Sequence, residues 1–278
     1  MRTVAIWMVF LLAGLAVSAA KAQQISIDPA KIELILEKRL TSGKLEVKNL
    51  GDRSIRYRVS AVHWILDRSS RLKIIPADSM SMVSWIKFNP REFELKAQST
   101  QVVRYTIIKP NRPLNGEYWA AIQFEPLEYQ VYNVSDSAAN TAKRAMIKVI
   151  NAVMIPVYAE IGKVERKGDI QEFRIYQQDE LDIFTVVIAN QGNGLLRLKG
   201  EYTLRSLSNG QVSTGGKVGP IFVFPGQAVE SRIPLSMKLK PGSYALRISL
   251  SDLKSDVTLN AEGELDIGGT PDGGDPSR

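Results

Sequence analysis

The sequence predicts an all-β protein, on the basis of three observations. Helical periodicity is almost absent after the first 22 residues. Short segments rich in β-branched and aromatic residues alternate with Gly, Pro, Asn and Asp, which is typical of strands and turns. One strand phrase also occurs twice, about half a chain apart. An up-and-down barrel is the competing architecture, but two repeats separated by a proline-containing crossover favour two tandem immunoglobulin-like β-sandwiches.

The first element is a predicted secretory signal peptide at residues 1–22. Arg2 precedes an apolar run from Val4 to Val17, which ends in the small-x-small triplet Ala20-Lys21-Ala22. The run is shorter than the roughly 20 apolar residues that span a bilayer. We therefore expect cleavage before Gln23 and a periplasmic location, with the extracellular surface as the alternative.

The repeated phrase predicts one strand in each of two related units. "GEYWAAIQF" (116–124) and "GSYALRISL" (242–250) share Gly-x-Tyr and then alternate apolar residues. Each glycine stands where a turn into the strand requires a residue without a side chain. Further upstream, each unit has a strand that ends in Asn-x-Gly, at 49–51 and 190–192. The sequence therefore predicts a first domain at 23–155, a second at 156–267 and a disordered tail at 268–278.

Composition indicates a protein that is not an enzyme. The chain has no Cys and a single His, His63, so no common zinc site or nucleophilic triad can be assembled from it. No phosphate-binding glycine pattern opens a helix, and we expect no cofactor and no small-molecule substrate. The net charge of +7 comes with charges of both signs interspersed. Export argues against a nucleic-acid partner, while a mild attraction to anionic envelope material is compatible with this charge.

The segment between the two repeats carries the functional signal. Residues 129–144 are polar and predict a loop longer than a hairpin needs. The stretch that follows, 146–157, is apolar on both faces of a predicted strand, with Asn151 as an interruption. Such a strand is either central in a sandwich or an edge strand that lends its side chains to a partner.

Several segments together resemble the PapD-like periplasmic pilus chaperones, as a divergent member. They are the opening strand "ISIDPAKIEL" (25–34), "VKNLGDRSIRYRV" (47–59), "FNPREFELKAQSTQVVRYTI" (88–107), "GEYWAAIQFEP" (116–126) and the alternating strand that ends in "MIP" (154–156). The resemblance covers residues 25–156 well and the rest poorly.

The resemblance implies a non-catalytic chaperone that binds pilus or surface-fibre subunits by donor-strand complementation. The donors would be Ile147, Val149 and Val153. In the family, two basic residues of the interdomain cleft hold the subunit's carboxylate; Lys31 matches the first, and Asn151 stands at the second. Lys148 is a substitute if the register shifts.

The partners implied are fimbrial subunits and an outer-membrane usher. The alternative function is a structural or adhesive envelope protein of two immunoglobulin-like modules. The two readings differ in one structural expectation: the chaperone leaves the strand at 146–154 uncovered and has a basic cleft around Lys31, whereas the envelope module covers the strand internally.

Overall fold

The structure is a computed structural model that describes residues 25–128, 130–135, 144–149, 151–178 and 180–268, with the backbone alone described within 130–149. The predicted signal peptide and residues 269–278 of the predicted tail lie outside these residues. Nineteen strands and one short 3-10 helix, Val83–Trp85, lie within them, so the predicted all-β class is confirmed. None of the described segments forms a helix that is long and apolar enough to cross a membrane.

The first sandwich packs two sheets face to face. One sheet has the order β1-β3-β8-β6, and the other has the order β2-β12-β9-β4-β5 with β7 also paired to β4. The strands are β1 (Ile25–Asp28), β2 (Ile32–Ile35), β3 (Leu40–Asn49), β4 (Ile55–Leu66), β5 (Leu72–Ile75), β6 (Ile86–Asn89), β7 (Glu92–Leu95), β8 (Thr100–Ile108), β9 (Gly116–Pro126) and β12 (Val153–Ile161). Strands β10 (Gln130–Ser135) and β11 (Arg144–Val149) pair with each other.

The second sandwich has a three-stranded sheet, β13-β14-β17, against a four-stranded sheet, β16-β15-β18-β19. Its strands are β13 (Gly168–Gln178), β14 (Leu181–Asn190), β15 (Leu196–Ser206), β16 (Val212–Val223), β17 (Ala228–Pro234), β18 (Gly242–Asp252) and β19 (Thr258–Ile267). Each sandwich encloses its own cluster of buried apolar side chains. The predicted architecture of two tandem sandwiches is confirmed.

Alternation along the strands places the core as the sequence predicts. In β9 the inward residues include Tyr118, Ile122 and Phe124, which lie in the first core. In β18 the matching inward residues Tyr244 and Ile248 lie in the second core. The phrase therefore occurs twice because each sandwich needs the same buried strand.

Two details of the repeat have the same structural cause in both domains. The Asn49 side chain donates to the carbonyl of Arg53 at 2.7 Å and accepts from the Gly51 amide at 2.9 Å. Asn190 does the same with Gly194 at 2.8 Å and Gly192 at 2.9 Å. A buried Asn thus replaces backbone partners at the tight turn that ends each strand.

The segment between the repeats differs from the expectation in two respects. Residues 130–135 form β10 where the sequence predicts a loop, because β11 supplies hydrogen-bond partners along their whole length. The predicted domain boundary at 155/156 falls inside β12, which continues the sheet of the first sandwich as far as Ile161. We place the boundary at 162–167, between β12 and β13.

Candidate functional site

The strand that joins the two domains has one open edge. Strand β10 pairs with one edge of β11, and β9 pairs with one edge of β12 along residues 153–161. On the opposite edge, β2 pairs in parallel with β12 only from Val157 to Glu160. Within the described part of the chain, residues 144–149 and 153–156 therefore have no strand on that edge. Unpaired backbone groups of this kind are a template for a strand from another chain.

The open edge results from how the chain enters the first sandwich. Strand β1 belongs to the other sheet, where it pairs with β3. The chain crosses between the sheets at residues 29–31. Pairing of β2 with β12 therefore begins only at Ile32, which is opposite Val157. Nothing in the described chain continues β2 alongside the earlier part of β12. The length of β2 thus decides how much of the edge stays open.

In β12, the two apolar faces make two different contacts. On one face Ile155 and Val157 are buried in the first core, and Val153 packs against it. On the other face Met154 and Tyr158 belong to an apolar cluster between the domains, which also contains Trp64, Trp119, Ala121, Leu195 and Phe224. From 157 to 160 the strand is central in its sheet, and before 157 it is an edge strand.

The predicted site residues are distributed along this strand. Ile147, Lys148 and Val149 lie in β11, opposite Tyr132, Val131 and Gln130 of β10. Asn151 is exposed and lies between the two strands. Val153 is half-buried and already packs against its own core, so its side chain is less available to a partner than the sequence suggests.

Lys31 does not supply an unpaired cation. Its side chain is exposed, and its ammonium lies 3.3 Å from the carboxylate of Glu33. The same carboxylate lies 3.0 Å from Lys254 and 3.7 Å from Arg197, both in the second domain. Although burial opposes the shift, hydrogen bonds and charges from Lys254 and Lys31 lower the pKa of Glu33. The cleft expected to be basic therefore holds acids and bases in pairs.

A buried ion-pair network joins the two domains beside this carboxylate. Glu117 of β9 is fully buried and receives two hydrogen bonds from the Arg197 guanidinium. It also accepts from the Leu195 amide at 2.9 Å and from Arg166 at 3.1 Å. Arg166 in turn reaches Glu160 of β12 at 2.6 Å. Burial alone would lower the pKa of Arg197, but the hydrogen bond and charge of Glu117 raise it.

Next to the network lies a cavity of about 300 Å³ between the domains. Glu33, Ile35, Tyr158, Glu160 and Lys254 are among its lining residues. Ile35 is 76% exposed, which is unusual for an isoleucine in a strand. Burial raises the pKa of the Tyr158 hydroxyl to about 12, and the Arg197 guanidinium lies over the ring at 4.9 Å. The cleft thus combines an exposed apolar residue with paired charges.

Sequence reasoning missed Glu117, Arg166 and Arg197 as the residues that fix the domains. A signal was present: Glu117 and Arg197 are charged residues inside otherwise apolar strand segments, "GEYWAA" and "LLRL". A buried charge requires a partner. Their pairing could not be predicted because it joins residues 80 positions apart.

Comparisons with known proteins give structural relatives only. No protein-family model matches the sequence, and no curated protein matches it. A solved structure of the class 5 fimbriae chaperone CfaA is 15% identical with a TM-score of 0.44, covering 86% of this chain and 98% of its own. The chaperone DraB of E. coli is 13% identical, with a TM-score of 0.39 and coverage of 88% and 97%.

A third relative comes from the complex of the SafA pilin of Salmonella enterica with the SafB chaperone. It is 11% identical, with a TM-score of 0.40, and covers 90% of this chain and 99% of its own. The chain is thus similar in structure to these fimbrial chaperones, at low sequence identity.

Proposed function

We propose that this protein is a periplasmic chaperone that holds a fibre subunit by adding its own strand, residues 144–156, to the subunit's incomplete sheet. The observation that carries the proposal is the open edge of β11 and β12, paired on one side by β10 and β9 and covered on the other only from Val157 onward. The relatives include chaperones solved with a pilin or a tip adhesin.

Strand addition supplies two kinds of free energy. Each backbone hydrogen bond contributes about 1 kcal/mol, and each aliphatic side chain that becomes fully buried contributes about 1.5 to 3 kcal/mol. Association costs on the order of 4 to 15 kcal/mol. The proposal therefore requires side-chain donation as well as backbone pairing, and it assigns donation to Ile147 and Val149, because Val153 already packs against its own core.

The cleft then has a supporting role. The network around Glu117 fixes the second domain against the sheet that carries the open edge. Lys31 and Lys254 share Glu33, so a subunit carboxylate would bind there only by exchanging with Glu33. Strand pairing, rather than a preformed cationic anchor, is proposed to dominate subunit capture. An outer-membrane usher is the assembly partner expected for a chaperone of this kind.

Co-expression with subunits encoded beside the gene tests the proposal. Ile147→Asp/Val149→Asp should reduce the amount of co-purified subunit at least about hundredfold. The reason is that two aliphatic side chains, which the subunit would bury in the complex, are replaced by carboxylates. Val212→Asp is the matched control, since Val212 is an exposed residue at the start of the edge strand β16. It should leave capture unchanged.

Equal capture by wild type and the double variant would contradict strand donation, provided that both proteins show the same circular dichroism spectrum. Absence of capture by wild type across all neighbouring subunits would favour the envelope-module alternative. In that case the open edge would serve a different partner.

A further inference from the structure

The outer face of the β1-β3-β8-β6 sheet carries a cluster that the proposed function does not use. Alternation turns Leu40 and Lys44 of β3, Arg104 and Ile108 of β8, and Lys87 of β6 away from the core. These five residues, called the basic face below, are all exposed. They lie at one end of the sheet, where Leu40 and Ile108 are cross-strand partners.

Two cations of the basic face are placed directly against each other. Lys44 and Arg104 are cross-strand partners on the same face, where like charges are destabilising. Lys87 of β6 is opposite Thr106, and Asn89 is opposite Arg104. Lys87 and Arg104 are therefore diagonal neighbours across the two strands. Lys44 is partly neutralised by Glu46 at 2.9 Å. Within the described residues, Arg104 and Lys87 have no carboxylate within 4.0 Å.

Apolar side chains extend the same surface. Leu40 is 58% exposed and Ile108 is 38% exposed. The residues just before β3 add Lys38 and Arg39, both exposed, beside Glu37. The acids of the face, Glu46 and Asp28, are cross-strand neighbours of β3 and β1 further along the sheet. Three exposed cations and an exposed aliphatic pair are therefore neighbours on this face.

We propose that the basic face binds an anionic phospholipid surface. Cations attract the negative headgroups, and exposed aliphatic side chains next to them enter the boundary between headgroups and acyl chains. A sheet face is suited to a planar partner, and the cavity between the domains is not lined by any of these five residues. The combination of unpaired cations with an adjacent aliphatic pair favours lipid over an acidic protein, because an acidic protein would need only the cations.

This orientation leaves the proposed chaperone site free. The two sheets of the first sandwich pack face to face, and Tyr158 and Trp119 lie on the outer side of the second sheet, at the interdomain cleft. Docking through the basic face therefore turns the cleft away from the lipid. Lipid binding by the basic face does not depend on strand donation.

Co-sedimentation of the full chain with vesicles tests it. We expect binding to vesicles of three parts phosphatidylcholine to one part phosphatidylglycerol at 50 mM salt, weaker binding at 300 mM salt, and little binding to pure phosphatidylcholine. Lys87→Glu/Arg104→Glu should weaken the partition at least about twentyfold, at about fivefold for each cation removed. Lys199→Glu/Arg205→Glu, on exposed positions of β15, makes the same change in net charge and should lose less than about threefold.

The variant Leu40→Ser/Ile108→Ser tests the aliphatic side chains separately from the cations, because it removes the apolar contact with the acyl chains and keeps the charge. It should weaken the partition while leaving the salt dependence intact. Equal losses in the two charge variants would overturn the proposal, because net charge rather than the basic face would be responsible. It would also be overturned by absence of binding at 50 mM salt, or by binding to polyglutamate but not to vesicles, which would assign the face to acidic proteins.

Discussion

At the scale of single residues, the two buried asparagines show how the duplicated turn is maintained. The Asn190 side chain donates to the carbonyls of Gly194 and Val223 at 2.8 and 2.7 Å. Asn49 donates to Leu95 and Lys96 in the first domain, each at 3.2 Å. In both domains one amide group ties the turn to the end of another strand, so neither a hydroxyl nor a carboxylate could replace it.

Replacing this amide should have a measurable cost. We expect Asn190→Ala to lower the free energy of unfolding by about 2 to 4 kcal/mol, because two carbonyls and one amide lose buried partners. Urea unfolding measures the change. Asn209→Ala is the control, since Asn209 accepts one bond from Gln211 in an exposed turn, and its cost should stay below about 1 kcal/mol. Similar costs for the two variants would show that burial of the amide is unimportant.

Gly116 shows why the repeated glycine also has a tertiary role. Its φ is +116°, in a region that side chains disfavour, and a Cβ atom would lie 2.8 Å from the carbonyl oxygen of Asn193. Gly242, with φ of +147°, would meet nothing within 4 Å. The sequence predicts a turn at both glycines, but only at Gly116 does the glycine also let the second domain approach.

At the scale of elements, β12 has two roles along its length. From Val157 to Glu160 it lies between β2 and β9, and from Val153 to Pro156 it pairs with β9 alone. Side-chain burial holds the open part in place, because Ile155 is only 4% exposed. A strand can therefore be fixed by its side chains while one edge of its backbone stays available.

The open edge should be visible by amide hydrogen exchange in the free protein. Amides of residues 153–155 that are not bonded to β9 should exchange at least about a hundredfold faster than those of 157–160, since local opening is not required for them. Resonance-assigned exchange of the full chain measures this. Addition of a captured subunit should slow the fast set and leave the amides of β14 unchanged. Uniform protection along β12 before subunit is added would show that the edge is covered.

At the scale of the whole molecule, the two domains are held by polar and apolar contacts together. The buried network around Glu117 lies beside the cluster of Trp64, Trp119 and Phe224, in which the Trp119 and Phe224 rings are 4.7 Å apart. The backbone amide of Glu230 also donates to the carbonyl of Arg68 at 2.6 Å, in the turn between β4 and β5. These contacts set the angle at which the open edge faces the cleft.

Loss of the central carboxylate should release the domains from each other. Glu117→Gln leaves the buried cations of Arg166 and Arg197 without their shared partner, which costs about 3 to 5 kcal/mol. We expect a lower midpoint of thermal unfolding and a broader distribution of interdomain distances in small-angle X-ray scattering. Glu262→Gln breaks the exposed pair with Arg247 and should change stability by no more than about 1 kcal/mol. An unchanged scattering curve for Glu117→Gln would mean that the apolar cluster alone fixes the angle.

The strands, the two sandwiches, the duplicated turn and the apolar strand between the domains could all be predicted from the amino-acid sequence. These features depend on alternation and turn chemistry, which act between residues close in the chain. The sequence also singled out the strand that contains Ile147 and Val149, whereas the domain boundary that it predicts at 155/156 falls within β12.

Which edge of that strand is open, and which charges occupy the cleft, became known from the packing of the sheets. The open edge depends on where β2 joins β12, after the chain has crossed between sheets. The cleft depends on Arg197 reaching Glu117, and on Glu33 meeting Lys254 of the second domain. Pairing between residues so far apart is set by the packing of whole sheets, and no local pattern in the sequence records it.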